Sequence, residues 1–66
     1  MNNKIRVARA EVRMTQQQLA EAVDVSRQTI NAIESGKFVP STVLALKIAR
    51  TFGTSGEDIF FLEEND

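Results

Sequence analysis

The 66-residue chain contains no cysteine and no histidine. Without thiols there is neither a disulfide framework nor a thiolate metal site. With histidine also missing, only carboxylates, Ser, Thr and Lys remain for chemistry. None of them stands in a nucleophile or metal-ligand pattern, so no enzyme, metal or cofactor is expected. Long apolar runs are absent too: nothing approaches the ~18 residues of a membrane span. The opening MNNKIR lacks the apolar core of a signal peptide. The expectation is a cytoplasmic chain with no membrane partner. Length is the last shortage, since one domain of this size buries only ~60% of its unfolded surface. An obligate dimer would be an economical source of further burial.

Charge is nearly balanced, with a net −1, which looks unsuited to a nucleic-acid partner until it is divided along the chain. Lys4, Arg6, Arg9, Arg13, Arg27 and Lys37 outnumber Glu11, Glu21, Asp24 and Glu34 in the first 37 residues, giving +2. In residues 38–66 Lys47 and Arg50 face Glu57, Asp58, Glu63, Glu64 and Asp66, giving −3. A positive half and an acidic half point to an interaction surface in the first.

That half holds the most organised stretch, Thr15 to Gly36, TQQQLAEAVDVSRQTINAIESG. Thr15 with Gln18 fits a capping box at a helix start. Leu19 and Val23, four apart, supply an apolar stripe. Asp24-Val25-Ser26 breaks the pattern, and Ser26 is a good N-cap for a second helix. Ile30 and Ile33 form the inner face of that helix, and Gly36 stops it in the left-handed conformation. Arg27, Gln28 and Asn31 fall on the opposite face. A short helix whose first turn presents Arg, Gln and Thr, braced by another helix, has the shape and chemistry to enter a DNA major groove.

Around this core stretch the chain reads as further short helices. Lys4 to Arg13 places Ile5, Ala8 and Val12 on one face, with Arg9 beside it and Lys4, Arg6 and Arg13 outward. Lys37-Phe38-Val39-Pro40 is a connection whose proline ends regular structure, with Phe38 predicted to plug the core beneath it. Ser41 caps a longer helix, Thr42 to Phe52, ended by Gly53; Leu44, Ala45, Ile48, Ala49 and Phe52 form its broad apolar face. Val43 and Leu46 lie off that face. Ser55 with Asp58 is a second N-cap arrangement, opening a last turn or two through Phe60. Glu63-Glu64-Asn65-Asp66 is a solvated acidic tail. The fold class is therefore all-α, with five short helices, no repeats and one domain spanning residues 1–66.

Three segments, MTQQQLAEAVDVSRQTINAIESGKFVPS, LALKIARTFG and EDIF, carry a resemblance to the Xre family, the lambda-repressor-like helix-turn-helix transcriptional regulators. It extends from Ile5 to Phe60 and is strongest to the short stand-alone members of the cytolysin-repressor type. The resemblance implies a helix-turn-helix at helices 2 and 3 and a partner in double-stranded operator DNA. It assigns Gln16, first in helix 2, to a phosphate, through its side chain and the helix N-terminus. Arg27, Gln28 and Thr29 become the leading base contacts: Arg27 to guanine or phosphate, Gln28 to adenine, the Thr29 methyl to thymine. Asn31 is the next outward position, for a base or phosphate. Ser26 and Lys37 are placed for phosphate. An ion pair between Arg9 of helix 1 and Glu34 at the end of helix 3 is implied by the phage repressors of the family. Two positions depart from the pattern: Asp24 stands where glycine is usual at the turn, and Ala32 replaces a base-reading glutamine of some phage repressors.

A single helix 3 spans only a few base pairs, whereas a two-fold dimer reads two half-sites about one DNA turn apart. The candidate interface is Phe60, Phe61 and Leu62 with Leu46 and Val43, Ile59 turning inward. Alternatively Phe61-Leu62 pairs as a short strand with Met1 to Asn3, as in the cytolysin-repressor type. The expected function is a homodimeric regulator on a palindromic operator, acting sterically, as a repressor that occludes polymerase in the leading reading or as an activator that recruits it, with no small-molecule ligand domain. The competing class is an antitoxin or protein-binding adaptor built on the same fold.

Overall fold

A computed structural model describes residues 1–63; the last three residues of the acidic tail lie outside the described residues. Five helices and a two-stranded ribbon follow in order: β1 (Asn2–Asn3), α1 (Ile5–Glu11), α2 (Gln16–Val23), α3 (Arg27–Glu34), α4 (Thr42–Thr51), α5 (Gly56–Ile59) and β2 (Phe60–Phe61). Three of the helix starts are fixed by hydroxyls. Thr15 and Gln18 close a full capping box on α2, Ser26 Oγ accepts from the Thr29 N–H on α3, and Ser41 Oγ accepts from the Leu44 N–H on α4. Each such bond satisfies an amide that the helix leaves unpaired. Ser55 differs from expectation. Its hydroxyl makes no bond to an α5 amide and instead donates to Asp58 Oδ2 at 2.9 Å, beside Thr54 Oγ1 at 2.8 Å.

The first four helices end in one way, with an amide just past the last turn reaching five residues back. Met14 bonds to Arg9 O, Val25 to Ala20 O, Lys37 to Ala32 O and Thr54 to Ala49 O, all at 2.9–3.0 Å. This turn places one residue in the left-handed region. Gly36 and Gly53 take it at α3 and α4, while Arg13 (φ 56°) and Asp24 (φ 62°) take it at α1 and α2. The Arg13 turn shortens α1 relative to the sequence reading and rotates Val12 off the inner face, leaving it 57% exposed.

Ile5, Leu19, Ala20, Val23, Ile30, Ile33, Ile48, Ala49 and Ile59 make one buried core, and Ala8, Met14, Val25, Leu44, Phe52 and Phe60 pack around it. α2 packs on both α3 and α4, so it links α3 to the longest helix. Phe38 is not the predicted plug. It is 49% exposed and is not a member of the buried core; Pro40, two residues on, is the buried member of that connection.

The ribbon joins the two ends of the fold. Asn2 pairs with Phe61 and Asn3 with Phe60, antiparallel, and the Lys4 N–H donates to Ile59 O at 2.8 Å. The strand thus begins at Phe60, one residue earlier than the alternative reading placed it, and Phe60 leaves the helix it was assigned to. Lys4 Nζ sits 5.3 Å above the Phe61 ring, a cation–π contact on the outer side. The Asn3 amide secures the ribbon to the core by donating from Nδ2 to Ile33 O at 2.8 Å.

Candidate nucleic-acid interface

The α2–α3 unit presents a polar ridge to solvent. Ile30 and Ile33 are fully buried, so the residues offset from them by about half a turn must face out. Arg27, Gln28 and Asn31 are exposed, Thr29 is half-buried and Lys37 is exposed just beyond the helix. Among the described residues neither Arg27, Gln28 nor Lys37 has a hydrogen-bond or ion-pair partner for its side chain. Their donors stand ready for an external acceptor.

Other residues of the ridge are already engaged. Ser26 Oγ lies 3.0 Å from Thr29 Oγ1 as well as capping the helix, which turns the Thr29 hydroxyl back and leaves its methyl as the outward feature. The Gln16 amide donates to Asn31 Oδ1 at 3.3 Å and to Glu34 Oε1 at 3.2 Å. Both N–H bonds of that side chain are therefore directed into α3. Its contribution to a phosphate site rests on the backbone N–H groups at the start of α2, aided by the positive end of the helix dipole. Asn31, with Oδ1 turned to Gln16, offers its NH₂ group outward.

Beneath the ridge lies an ionic clamp. The Glu34 side chain is 1% exposed and accepts two parallel bonds from Arg9, Nε to Oε2 at 2.7 Å and Nη2 to Oε1 at 3.0 Å. This bidentate fork is the strong form of an arginine–carboxylate pair. Arg9 also donates from Nη1 to Met14 O at 2.9 Å, fastening the turn before α2. The largely exposed Arg6 brings Nε to 3.6 Å from Glu34 Oε1, a partner not apparent from the sequence. Burial pushes the Glu34 carboxyl up, but hydrogen bonds from Arg9 and Gln16 and the charges of Arg9 and Arg6 outweigh it. The net result holds the group below the ordinary carboxylate range. The hydrogen bond to Glu34 raises Arg9 above the usual guanidinium value in turn. One carboxylate thus ties α1, α2 and α3 together and fixes the angle of the ridge.

At the sites singled out by sequence, Asp24 does adopt the left-handed turn, at φ 62°. Ala32 is half-buried and lines a shallow depression with Gln28, Thr29 and Phe38. Of the proposed interface between subunits, Val43, Leu46 and Leu62 are well exposed, Phe61 stands 36% exposed and Phe60 is half-buried. Val39, Pro40, Ala45, Leu46, Phe60 and Leu62 share one apolar groove. No helix among the described residues is long and apolar enough to cross a membrane.

Two helices clamped at a fixed angle, the second exposing an Arg–Gln start and ending beside a lysine, define a DNA-binding helix-turn-helix regulator. Comparison with known proteins agrees: a family model described as helix-turn-helix matches residues 5–59. The chain is 48% identical to the uncharacterized HTH-type transcriptional regulator YgzD of Bacillus subtilis, over all of both chains. It is 52% identical to the uncharacterized HTH-type transcriptional regulator MJ0272 of Methanocaldococcus jannaschii, again over the full length of each. Its fold is similar to the crystal structure of the clp gene regulator ClgR from Corynebacterium glutamicum, with a TM-score of 0.77 and 31% identity; the match covers 82% of this chain and 57% of that one. The chain belongs to the helix-turn-helix family of Xre-like transcriptional regulators.

Proposed function

We propose that this protein represses transcription as a homodimer on a palindromic operator. Arg27 and Gln28 read bases from the first turn of α3, joined by the Thr29 methyl and the Asn31 amide. Lys37, Ser26 and the N-terminus of α2 at Gln16 hold phosphates. The observation that carries this reading is the exposed Arg27–Gln28 pair, unpartnered among the described residues, on a helix held by the Glu34 clamp. Guanidinium and carboxamide groups suit the bidentate edges of guanine and adenine.

Dimerisation is supported by the apolar groove around Leu46 and Leu62, since a small core gains much from a partner. Repression follows sterically: a bound dimer occludes the polymerase. A cytoplasmic location goes with that role. Selection of bound sequences from random duplex DNA tests the reading directly. The expected outcome is an inverted repeat with half-sites about one helical turn apart. Recovery of a single asymmetric site, together with a monomer at micromolar concentration by analytical ultracentrifugation, would remove the dimer. Recovery of no preferred sequence, with a stoichiometric protein partner instead, would favour the adaptor class.

A further inference from the structure

We infer that Phe38, outside the helix-turn-helix itself, reads thymine by holding its C5-methyl group in the depression it shares with Ala32. This rests on the DNA-reading role proposed for α3 and assigns a specificity contact beyond its first turn.

The placement is set by the backbone. After Gly36 turns the chain at φ 77°, the amides of Lys37 and Phe38 both donate to Ala32 O, at 2.9 and 3.2 Å. Residue 38 is thereby pinned alongside the last turn of α3. The chain then divides its side chains between two surfaces. Phe38 lines a depression with Gln28, Thr29 and Ala32, whereas Val39 joins the Leu46–Leu62 groove on the other side. Phe38 therefore belongs to the surface that carries the base readers and not to the candidate dimer face.

Its chemistry is selective there. The ring is 49% exposed and is not part of the buried core, so core packing does not account for an aromatic residue at this position. A half-exposed phenyl edge beside the Ala32 methyl and the Thr29 side chain forms an apolar notch. Gln28 borders it with hydrogen-bonding groups, and Lys37 adjoins it in sequence with a cation. In the major groove the one apolar feature of that size is the thymine methyl, next to the O4 acceptor. Among occupants of this notch, a base methyl flanked by an acceptor and a phosphate matches the surrounding polarity.

The test uses the selected operator with each thymine replaced in turn by deoxyuridine, which deletes only the methyl. Affinities are measured by fluorescence anisotropy for the wild type, Phe38→Ala and Phe38→Leu. At one thymine in each half-site the wild type should lose about fourfold, the effect of withholding one methyl group from burial. Phe38→Ala should bind the thymine and uracil forms equally at that position, and Phe38→Leu should retain part of the difference. Circular dichroism melts should show all three proteins folded. An undiminished uracil penalty in Phe38→Ala would overturn the inference. So would a uniform loss on every operator, which would place the ring against deoxyribose. If the wild type selects no operator at all, the DNA-reading role itself fails, a result distinct from either of these.

Discussion

Replacing Glu34 by alanine should be the most damaging single change on the polar side of this molecule. The carboxylate is almost wholly removed from solvent and receives two bonds from Arg9 and one from Gln16. Taking it away leaves the Arg9 guanidinium, 14% exposed, with the Met14 carbonyl as its one remaining partner among the described residues. Breaking a buried pair in this way costs about 3 kcal/mol. The total stability of a domain this small is only ~3–10 kcal/mol. A melting midpoint lowered by ~12–24 °C follows from the usual scaling for short domains. A double-mutant cycle with Arg9→Met separates the pair from its surroundings, because methionine keeps the apolar stem while removing the charge. The double variant should be more stable than the Glu34→Ala single, since no charge is then stranded. Single variants that each cost under ~1 kcal/mol and simply add would refute the reasoning, because that is the behaviour of an exposed pair. Acid gives a second reading of the same group. Its folded pKa is held below the ordinary value, so its stabilisation is complete above the unfolded carboxylate pKa of ~4.3. It is lost as pH falls through the lower folded value. Melts of wild type and Glu34→Gln should converge in that acidic window and stay apart at neutral pH.

Gln28→Ala should relax base preference at one operator position by ~1–3 kcal/mol, measured by competition among single-base operator variants. Lys37→Ala should instead weaken all sequences alike and reduce the salt slope by about 1. Asp24→Gly and Arg13→Gly should each raise stability by about 0.5–1 kcal/mol in urea titrations, since glycine takes a left-handed turn without the Cβ penalty. Ser26→Ala should cost about 1 kcal/mol through the lost cap on α3, seen as a lowered urea midpoint.

Much of the architecture was legible in the sequence because it depends on local signals. Thr15 with Gln18, Ser26 and Ser41 mark helix starts, and Gly36 and Gly53 mark helix ends. The spacing of Leu19, Val23, Ile30 and Ile33 marks the buried face. Each of these is decided within one or two turns of chain. Val12 was misread because its helix stops at Glu11, one residue before it, and Arg13, one residue after it, takes a left-handed conformation that arginine seldom adopts; no local signal announces that. Phe38 was misread because its direction depends on two amides folding back on the Ala32 carbonyl. Gln16 shows the limit at the site itself: its position was legible, but the engagement of its amide by Asn31 and Glu34 depends on the angle between two helices. Asn3, which donates to the Ile33 carbonyl, lies in a segment with no periodicity to read.

The ribbon has a kinetic corollary. Asn2 and Asn3 meet Phe61 and Phe60 across nearly the entire chain, so closing the ribbon carries a larger loop-closure entropy than any contact between neighbouring helices and should come late in folding. Amide exchange should accordingly be fastest there, and local opening of the ribbon would leave α2 and α3 joined while freeing the Ile33 carbonyl from Asn3. Whatever latches onto Phe61 and Leu62 would slow that unzipping.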